Sequence, residues 1–441
     1  MVATLADRTD ASAALAAEAL IEEARRRQRK RWGGWIAAFA ALALVAGVLV
    51  AVFGGTGGGR EAATGGSDAG QPFGTCSPCT PQSSASALAR GHWVSLPPAP
   101  IAPRIDEAAV WTGHRLVIWG GAANSDNVTY GNGATYDPTA RRWRMLPRSP
   151  LGPRWGVAAV WTGKDVFIWG GTGSGTGWTG PTRRDGAMYD PATHRWTLVP
   201  PAPIPARKGA TAIWTGHEVV VFGGMGTGNI GWVPAQRTDG AIYNPTTRRW
   251  HRLPTSPIQF QAMHVNVAWN GTALVVTALD APAVVSASWS PGSGRWHVRP
   301  TPASLARAIN RSAAWTGTQL VYPFQSCPIT GGDLFCGPGA GDARAFDPST
   351  GHLTKLPSSI ALVGNVQWTG RALVTVDGAS GKGIAYDPVT HRSRRLPAGP
   401  VFNSYGLTTV WTGRELIEWG GVTSKPAIPG AALVAGRRTA G

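Results

Sequence analysis

The chain has 441 residues, enough for more than one domain. Its 59 glycines, 35 prolines and 21 tryptophans, against only 15% charged residues, favour an all-β body of short strands and many turns over a helical one. Of the formal charge of +17, residues 1–34 carry +2 and residues 35–90 none, so +15 falls on 91–441. Such a basic body suits anionic surroundings such as acidic lipids or envelope polymers.

In chain order, residues 10–31 (DASAALAAEALIEEARRRQRKR) form a good helix with Asp10 as cap candidate and a cluster of bases at its end. Residues 1–34 are therefore expected to be a basic juxtamembrane helix. Residues 35–54 follow as a membrane span: from Trp35 to Phe53 there is no charge, and a helix of that length rises about 28 Å, close to the thickness of a bilayer core. The bases stand before the span and only Arg60 soon after it, which puts the N-terminus in the cytoplasm and the rest outside. A cleaved signal peptide is the competing reading, but the charged leader and the apolar run are both long for one and no clear cleavage site follows. Residues 55–90, rich in Gly, Ser, Ala and Thr, read as a flexible tether.

Beyond residue 90 the chain repeats itself every 43–55 residues. Trp-Thr-Gly begins at Trp111, Trp161, Trp214, Trp315, Trp368 and Trp411, with Trp269-Asn270-Gly271 as a seventh, altered copy. Each ends a short apolar run and precedes another (RLVIWGG, DVFIWGG, EVVVFGG, ELIEWGG), which is the pattern of a hairpin. An aromatic before a turn follows at Tyr136, Tyr189, Tyr243, Trp289, Phe346 and Tyr386, and seven residues later come Trp143, Trp196, Trp250, Trp296, Leu353 and Ser393. Asp/Asn-Pro after most of these aromatics initiates a turn of fixed length.

Each unit is thus a four-stranded meander that cannot bury both faces alone; radial stacking buries them. The last unit supplies three strands, ending at residues 431–436. Residues 91–97 (GHWVSLP) look like a fourth strand with no predecessor. The expected architecture is all-β: a seven-bladed propeller over 91–441, blade 7 closed by the N-terminal strand, preceded by one transmembrane α-helix.

This pattern resembles the Kelch-repeat family, within the galactose oxidase central-domain-like superfamily, in a bacterial, membrane-anchored version. The residues that carry the resemblance are the doublets Gly120–Gly121, Gly170–Gly171, Gly223–Gly224 and Gly420–Gly421, the Tyr before the turn and the later Trp. Units four to six depart from it, reading Leu279-Asp280, Pro323-Phe324 and Asp377-Gly378 in place of the doublet. The resemblance implies an interaction platform, although propellers host many activities.

The long connections between strands two and three (121–133, 171–186, 224–240, 326–341) and between units (148–157, 201–209, 254–264, 300–311) fall on one face of such a ring. Arg154, Trp155, Trp178, Arg183, Arg184, Arg207, Trp232, Arg237 and Arg307 lie on them. Arginine forks bind carboxylate or phosphate and indoles stack on sugars or apolar groups, so these are the candidate binding face. Cys327 and Cys336 bracket a Gly-rich insertion and Cys76 and Cys79 sit in the tether; two such pairs fit disulfides in an oxidising compartment better than zinc or redox chemistry. The histidines fall at repeat positions and no catalytic motif appears, so no metal, cofactor or catalytic residue is expected. The reading is a single-pass cell-membrane protein whose extracytoplasmic propeller binds a protein or acidic envelope polymer rather than nucleic acid. The alternative is an enzyme at the ring axis, an oxidase of the galactose oxidase type or a glycan-processing one.

Overall fold

The computed structural model describes residues 85–436 apart from 124–127, 175–179, 231–232, 258–264, 281–282, 302–312, 323–342, 358–365, 378–379, 401–404 and 423–429. The expected cytoplasmic helix, the membrane span, most of the tether and all four cysteines lie outside the described residues. Among the described residues no helix is long and apolar enough to cross a membrane.

Seven four-stranded antiparallel sheets follow one another along the chain. Blade 1 comprises Ala108–Trp111, Leu116–Trp119, Gly133–Asp137 and Arg142–Met145. Blades 2 to 6 repeat the plan over 158–199, 211–252, 265–300, 314–355 and 367–395. Blade 7 takes Tyr405–Trp411, Glu415–Val422 and Ala431–Val434 from the C-terminal end and His92–Ser95 as its outermost strand, in the register His92↔Val434 to Ser95↔Ala431. The first strands of neighbouring blades touch, so they surround the axis and the fourth strands form the circumference.

The second strands explain why the units cannot stand alone. Leu116–Trp119, Val166–Trp169 and Val219–Phe222 are buried at every position, on both faces, where a sheet with one wet face would alternate. Seven hydrophobic clusters account for this, one at each blade-to-blade interface; the cluster joining Ile417 and Trp419 of blade 7 to Ile118 and Tyr136 of blade 1 completes the circle.

Polar ties reinforce the interfaces. The outer-strand indoles of Trp143, Trp196, Trp250 and Trp296 donate to the carbonyls of Pro97, Pro147, Pro200 and Pro254, each at the exit of the preceding blade, at 2.8–3.1 Å. Each such bond is worth about 1 kcal/mol beyond the buried ring. The turn after each aromatic needs a left-handed residue five positions on: Arg141, His194, Arg248 and His391 have φ of 48–56°, and Gly294 and Gly351 fill the same position in blades 4 and 5. Arg141 and Arg248 use it to reach back to the outer strand before them, donating to the carbonyls of Ser95 and Leu198.

Two segments differ from expectation. Residues 224–240, expected to be irregular, contain a β-hairpin, Met225–Ile230 with Val233–Gln236, a separate two-stranded sheet inserted in blade 3. At the end of the presumed tether, Ala85–Ala89 is a short helix whose Ala85 and Leu88 are buried against blades 6 and 7, with Gly436 N–H donating to the Ala87 carbonyl. The packed body therefore includes residues six positions before the expected boundary at 91. Leucine at position 88 is what an unstructured spacer would not require, and it fills a slot that the composition of the stretch hides.

Candidate functional site

The connections entering blades 1 to 3 each place an arginine seven residues before the Trp-Thr-Gly tryptophan: Arg104, Arg154 and Arg207. All three are buried. Each guanidinium reaches the carbonyl of the first glycine of its own blade's doublet: Arg104 to Gly120, Arg154 to Gly170 and Arg207 to Gly223, at 2.9–3.2 Å. It also reaches the residue before the third strand. Arg154 makes two bonds to the Asp185 carboxylate at 2.8 and 3.0 Å, and Arg207 holds Asp239 at 2.9 Å. In blade 1 the partner is Asn132, at 3.0 Å. Burial alone would raise both aspartates, but the paired arginine outweighs it and holds each below the usual carboxylate range.

The doublet joins this unit to the next. Gly421, Gly121 and Gly171 donate their N–H to the carbonyls of Arg104, Arg154 and Arg207, the arginines of the following blades. A side chain at Gly120 would meet the Arg154 carbonyl at 2.8 Å, and φ there is +74°, so glycine is required on both counts. Arg154 and Arg207, expected on a binding face, are instead internal struts of that face: the geometry needs the full fork of each for backbone carbonyls and one acid.

Trp155 and Lys208 occupy one repeat position in consecutive blades and stack, the Lys208 ammonium 4.4 Å from the ring centre. Both are buried, so Trp155 offers no open ring. Arg183 and Arg184 stand exposed beside them, and Arg237 is half-buried with its guanidinium against Gly226 in the inserted hairpin. Arg183 is tied in through its backbone, its N–H donating to Gly171 and its carbonyl accepting from Arg207. The loop side of blades 1 to 3 thus gathers Arg154, Trp155, Arg183, Arg184, Arg207 and Arg237 into one region. Trp178, Trp232 and Arg307 lie outside the described residues, as do Cys76, Cys79, Cys327 and Cys336.

The axial channel, about 290 Å³, is walled mainly by small residues of the inner strands, among them Ala109, Ala159, Ala212 and Ala314. Asp106 and Glu107 mark its loop-side mouth. The Thr408 hydroxyl of blade 7 donates to Glu107 Oε1, while Oε2 is buried and has no hydrogen-bond partner among the described residues. Burial pushes the Glu107 carboxyl up to about 7, with the Thr408 hydrogen bond opposing. A second buried carboxyl, Glu418, stands in the second strand of blade 7 where blades 1 to 3 have Ile118, Ile168 and Val221. Burial, with the Asp377 charge adding to it, raises Glu418 to about 8. Among the described residues no group of three or more His, Cys, Asp or Glu could hold a metal ion. His194 and His391 each contact the tyrosine hydroxyl of their own turn, Tyr189 and Tyr386, at 3.0 Å.

On the opposite face a wider hollow, about 1040 Å³, opens between the turns of blades 7, 1 and 2. His114, Arg115, Lys164, Asp190, Arg414 and Glu415 line it, so its charges are mixed. Arg115 lies 3.7 Å from Asp137.

Blades 1 to 3 share the glycine doublet, the buried arginine and the indole tie, a specific combination. Residues 99–289 match the KLHDC2/KLHL20/DRC7 Kelch-repeats domain. No curated protein matches the chain. The Kelch-like match begins just before blade 1 and stops at Trp289, in the third strand of blade 4. It covers the three blades with both the doublet and the arginine, and ends in the first blade that has lost the doublet.

Sequence reasoning missed Asp185, Asp239 and the two buried glutamates. A usable signal was present: Asn132, Asp185 and Asp239 each precede the Gly-Ala that opens strand three, and the arginines keep a constant distance from the next tryptophan. Glu418 is betrayed by the alignment of ELIEWGG with RLVIWGG, which puts an acid at an apolar position.

Proposed function

We propose that this chain is a membrane-anchored, non-catalytic interaction scaffold that presents the loop side of blades 1 to 3 to a protein partner outside the cytoplasm. The observation that carries the reading is the contrast among the arginines. Arg154 and Arg207 are consumed inside the face as buried struts, whereas Arg183 and Arg184 stand exposed on the segment those struts hold. A rigid backbone carrying exposed guanidinium groups loses little freedom on binding and favours an acidic surface on the partner. The anchor rests on the uncharged run from Trp35 to Phe53 and the bases before it. Exposure of the C-terminal side outside the cell follows from the same asymmetry.

The test is crosslinking in living cells with full-length protein, comparing the parent with Arg183→Ala/Arg184→Ala and with His114→Ala/Arg414→Ala on the opposite face. Loss of one specific crosslinked protein in the first variant alone supports the loop face. Loss only in the second moves the site to the turn face. Protease accessibility of the C-terminal side in intact cells checks the orientation independently.

A further inference from the structure

The circumference of the ring carries a charge pattern that the loop face does not explain. The fourth strands of blades 1 to 3 present Arg142 and Arg144, Arg195, and Arg249 and Arg252. Those of blades 4 to 6 present Arg299, Lys355, and Arg392, Arg394 and Arg395. These six strands contain no Asp or Glu, and all ten basic side chains are exposed. Among the described residues none of the nine arginines forms an ion pair. The fourth strand of blade 7, His92–Ser95, has neither Lys nor Arg, so the belt is open at one blade, where the chain enters the ring.

Charged side chains on an edge strand discourage edge-to-edge aggregation. That need is met by one charge per strand, of either sign, and lysine serves it well. Here three strands carry two or three, all of one sign, and nine of the ten are arginine, whose fork matches phosphate and carboxylate oxygens. Geometry narrows the ligand further. With strands about 4.8 Å apart, a four-stranded blade sets its outer strand some 14 Å beyond its inner one, and the belt over six blades is on the order of 100 Å long. The arginines diverge around the ring, so a flat anionic surface meets only one or two blades at a time. A flexible linear chain follows all six.

We infer that the outer strands of blades 1 to 6 form a circumferential binding belt for a linear, flexible polyanion bearing phosphate or carboxylate groups. The belt is separate from the loop face and does not depend on it. Recognition is by charge and not by sequence, so binding falls steeply with salt, and the affinity of a chain grows with the number of blades it spans.

The experiment uses full-length protein in neutral detergent and fluorescence anisotropy with long-chain inorganic polyphosphate. Tripolyphosphate, poly-L-glutamate, a single-stranded oligonucleotide and anionic lipid vesicles serve as competitors. The expected result is tight binding of long polyphosphate, at least about 100-fold weaker binding of tripolyphosphate, and a logarithmic salt slope of several units. Poly-L-glutamate competing as well as polyphosphate assigns the belt to carboxylate polymers also; its failure restricts it to phosphate. Replacing Arg142, Arg144, Arg392, Arg394 and Arg395 by Gln should weaken binding at least about tenfold with an unchanged melting temperature, since these side chains are exposed and form no ion pair among the described residues. Arg183→Ala/Arg184→Ala should leave polyphosphate binding unaltered. Equal affinity for tripolyphosphate, displacement by vesicles but not by polymers, base-dependent preference among oligonucleotides, or loss in the loop-face variant instead of the belt variant would each overturn the inference.

Discussion

The indole of Trp93 donates to the carbonyl of Pro397 at 3.0 Å, joining residues 304 positions apart. It is the same bond that Trp143 makes to Pro97 and Trp250 to Pro200, but here it closes the ring between blades 6 and 7. The indole packs so closely on Gly399 that a Cβ there would stand 2.8 Å from it. Trp93→Phe should lower unfolding stability by about 1 kcal/mol through the lost hydrogen bond, and Trp93→Ala by about 3–5 kcal/mol. Urea denaturation of the full chain measures both. An unchanged midpoint in Trp93→Ala would mean that the N-terminal strand does not staple the circle.

The buried arginines should separate structure from recognition. Arg154→Ala leaves the Gly152 and Gly170 carbonyls without their donor and removes the partner of Asp185. A cost of about 2–4 kcal/mol is expected, and a similar one for Arg207→Ala. Arg183→Ala and Arg184→Ala, at exposed positions, should stay within about 0.5 kcal/mol. A thermal melt of the four single variants decides the matter; if Arg154→Ala melts like the parent, the strut role is wrong.

Blades 5 and 6 should open first. Their fourth strands carry Leu353 and Ser393 where the others have tryptophan, so neither has an indole to donate to the blade before it. Their first strands, Ala314–Trp315 and Gln367–Trp368, are only two residues long, against four in blades 1 to 3. Hydrogen exchange followed by mass spectrometry should show amides of the third strands in blades 5 and 6 exchanging faster than those of blades 1 to 3. Uniform protection around the ring would contradict the ranking.

Most of the ring was legible in the sequence because each blade repeats residues whose chemistry is local. Thr112 closes its hairpin through Arg115, and Thr162 through Asp165, with the same backbone and hydroxyl bonds. Trp143 and its equivalents also reported their spacing faithfully. What stayed hidden depends on partners distant in sequence. Arg154 meets Asp185 across 31 residues and Arg207 meets Asp239 across 32. A basic residue in a long connection looks solvent-exposed until its acceptors are placed around it. The hairpin at Met225–Gln236 was obscured by its glycines and by Pro234, which a paired strand tolerates only at an edge.

The last prediction concerns the buried carboxyl of Glu418. Among the described residues its Oε2 has no hydrogen-bond partner, and the nearby Asp377 adds a like charge. In the folded chain the carboxyl keeps its proton up to about pH 8, well above the ordinary glutamate value of 4.5 that applies once the chain unfolds. Between those limits the folded state binds the extra proton. Its contribution is therefore fully present below about pH 4.5 and is lost as pH rises through 8, by up to about 1.4 kcal/mol per pH unit. Glu107, raised to about 7, acts in the same direction over a narrower range. Asp185 and Asp239, held low by their arginines, act oppositely: their contribution is present above the unfolded carboxylate value and is lost on further acidification. Glu418→Gln keeps the shape and cannot ionise. It should leave stability at pH 5 nearly unchanged, raise it at pH 9 by on the order of a few kcal/mol, and flatten the profile between. Denaturant midpoints at the two pH values test this directly. A variant less stable than the parent at pH 9 would show that the ionised carboxylate has a stabilising partner and that Glu418 is not an uncompensated buried acid.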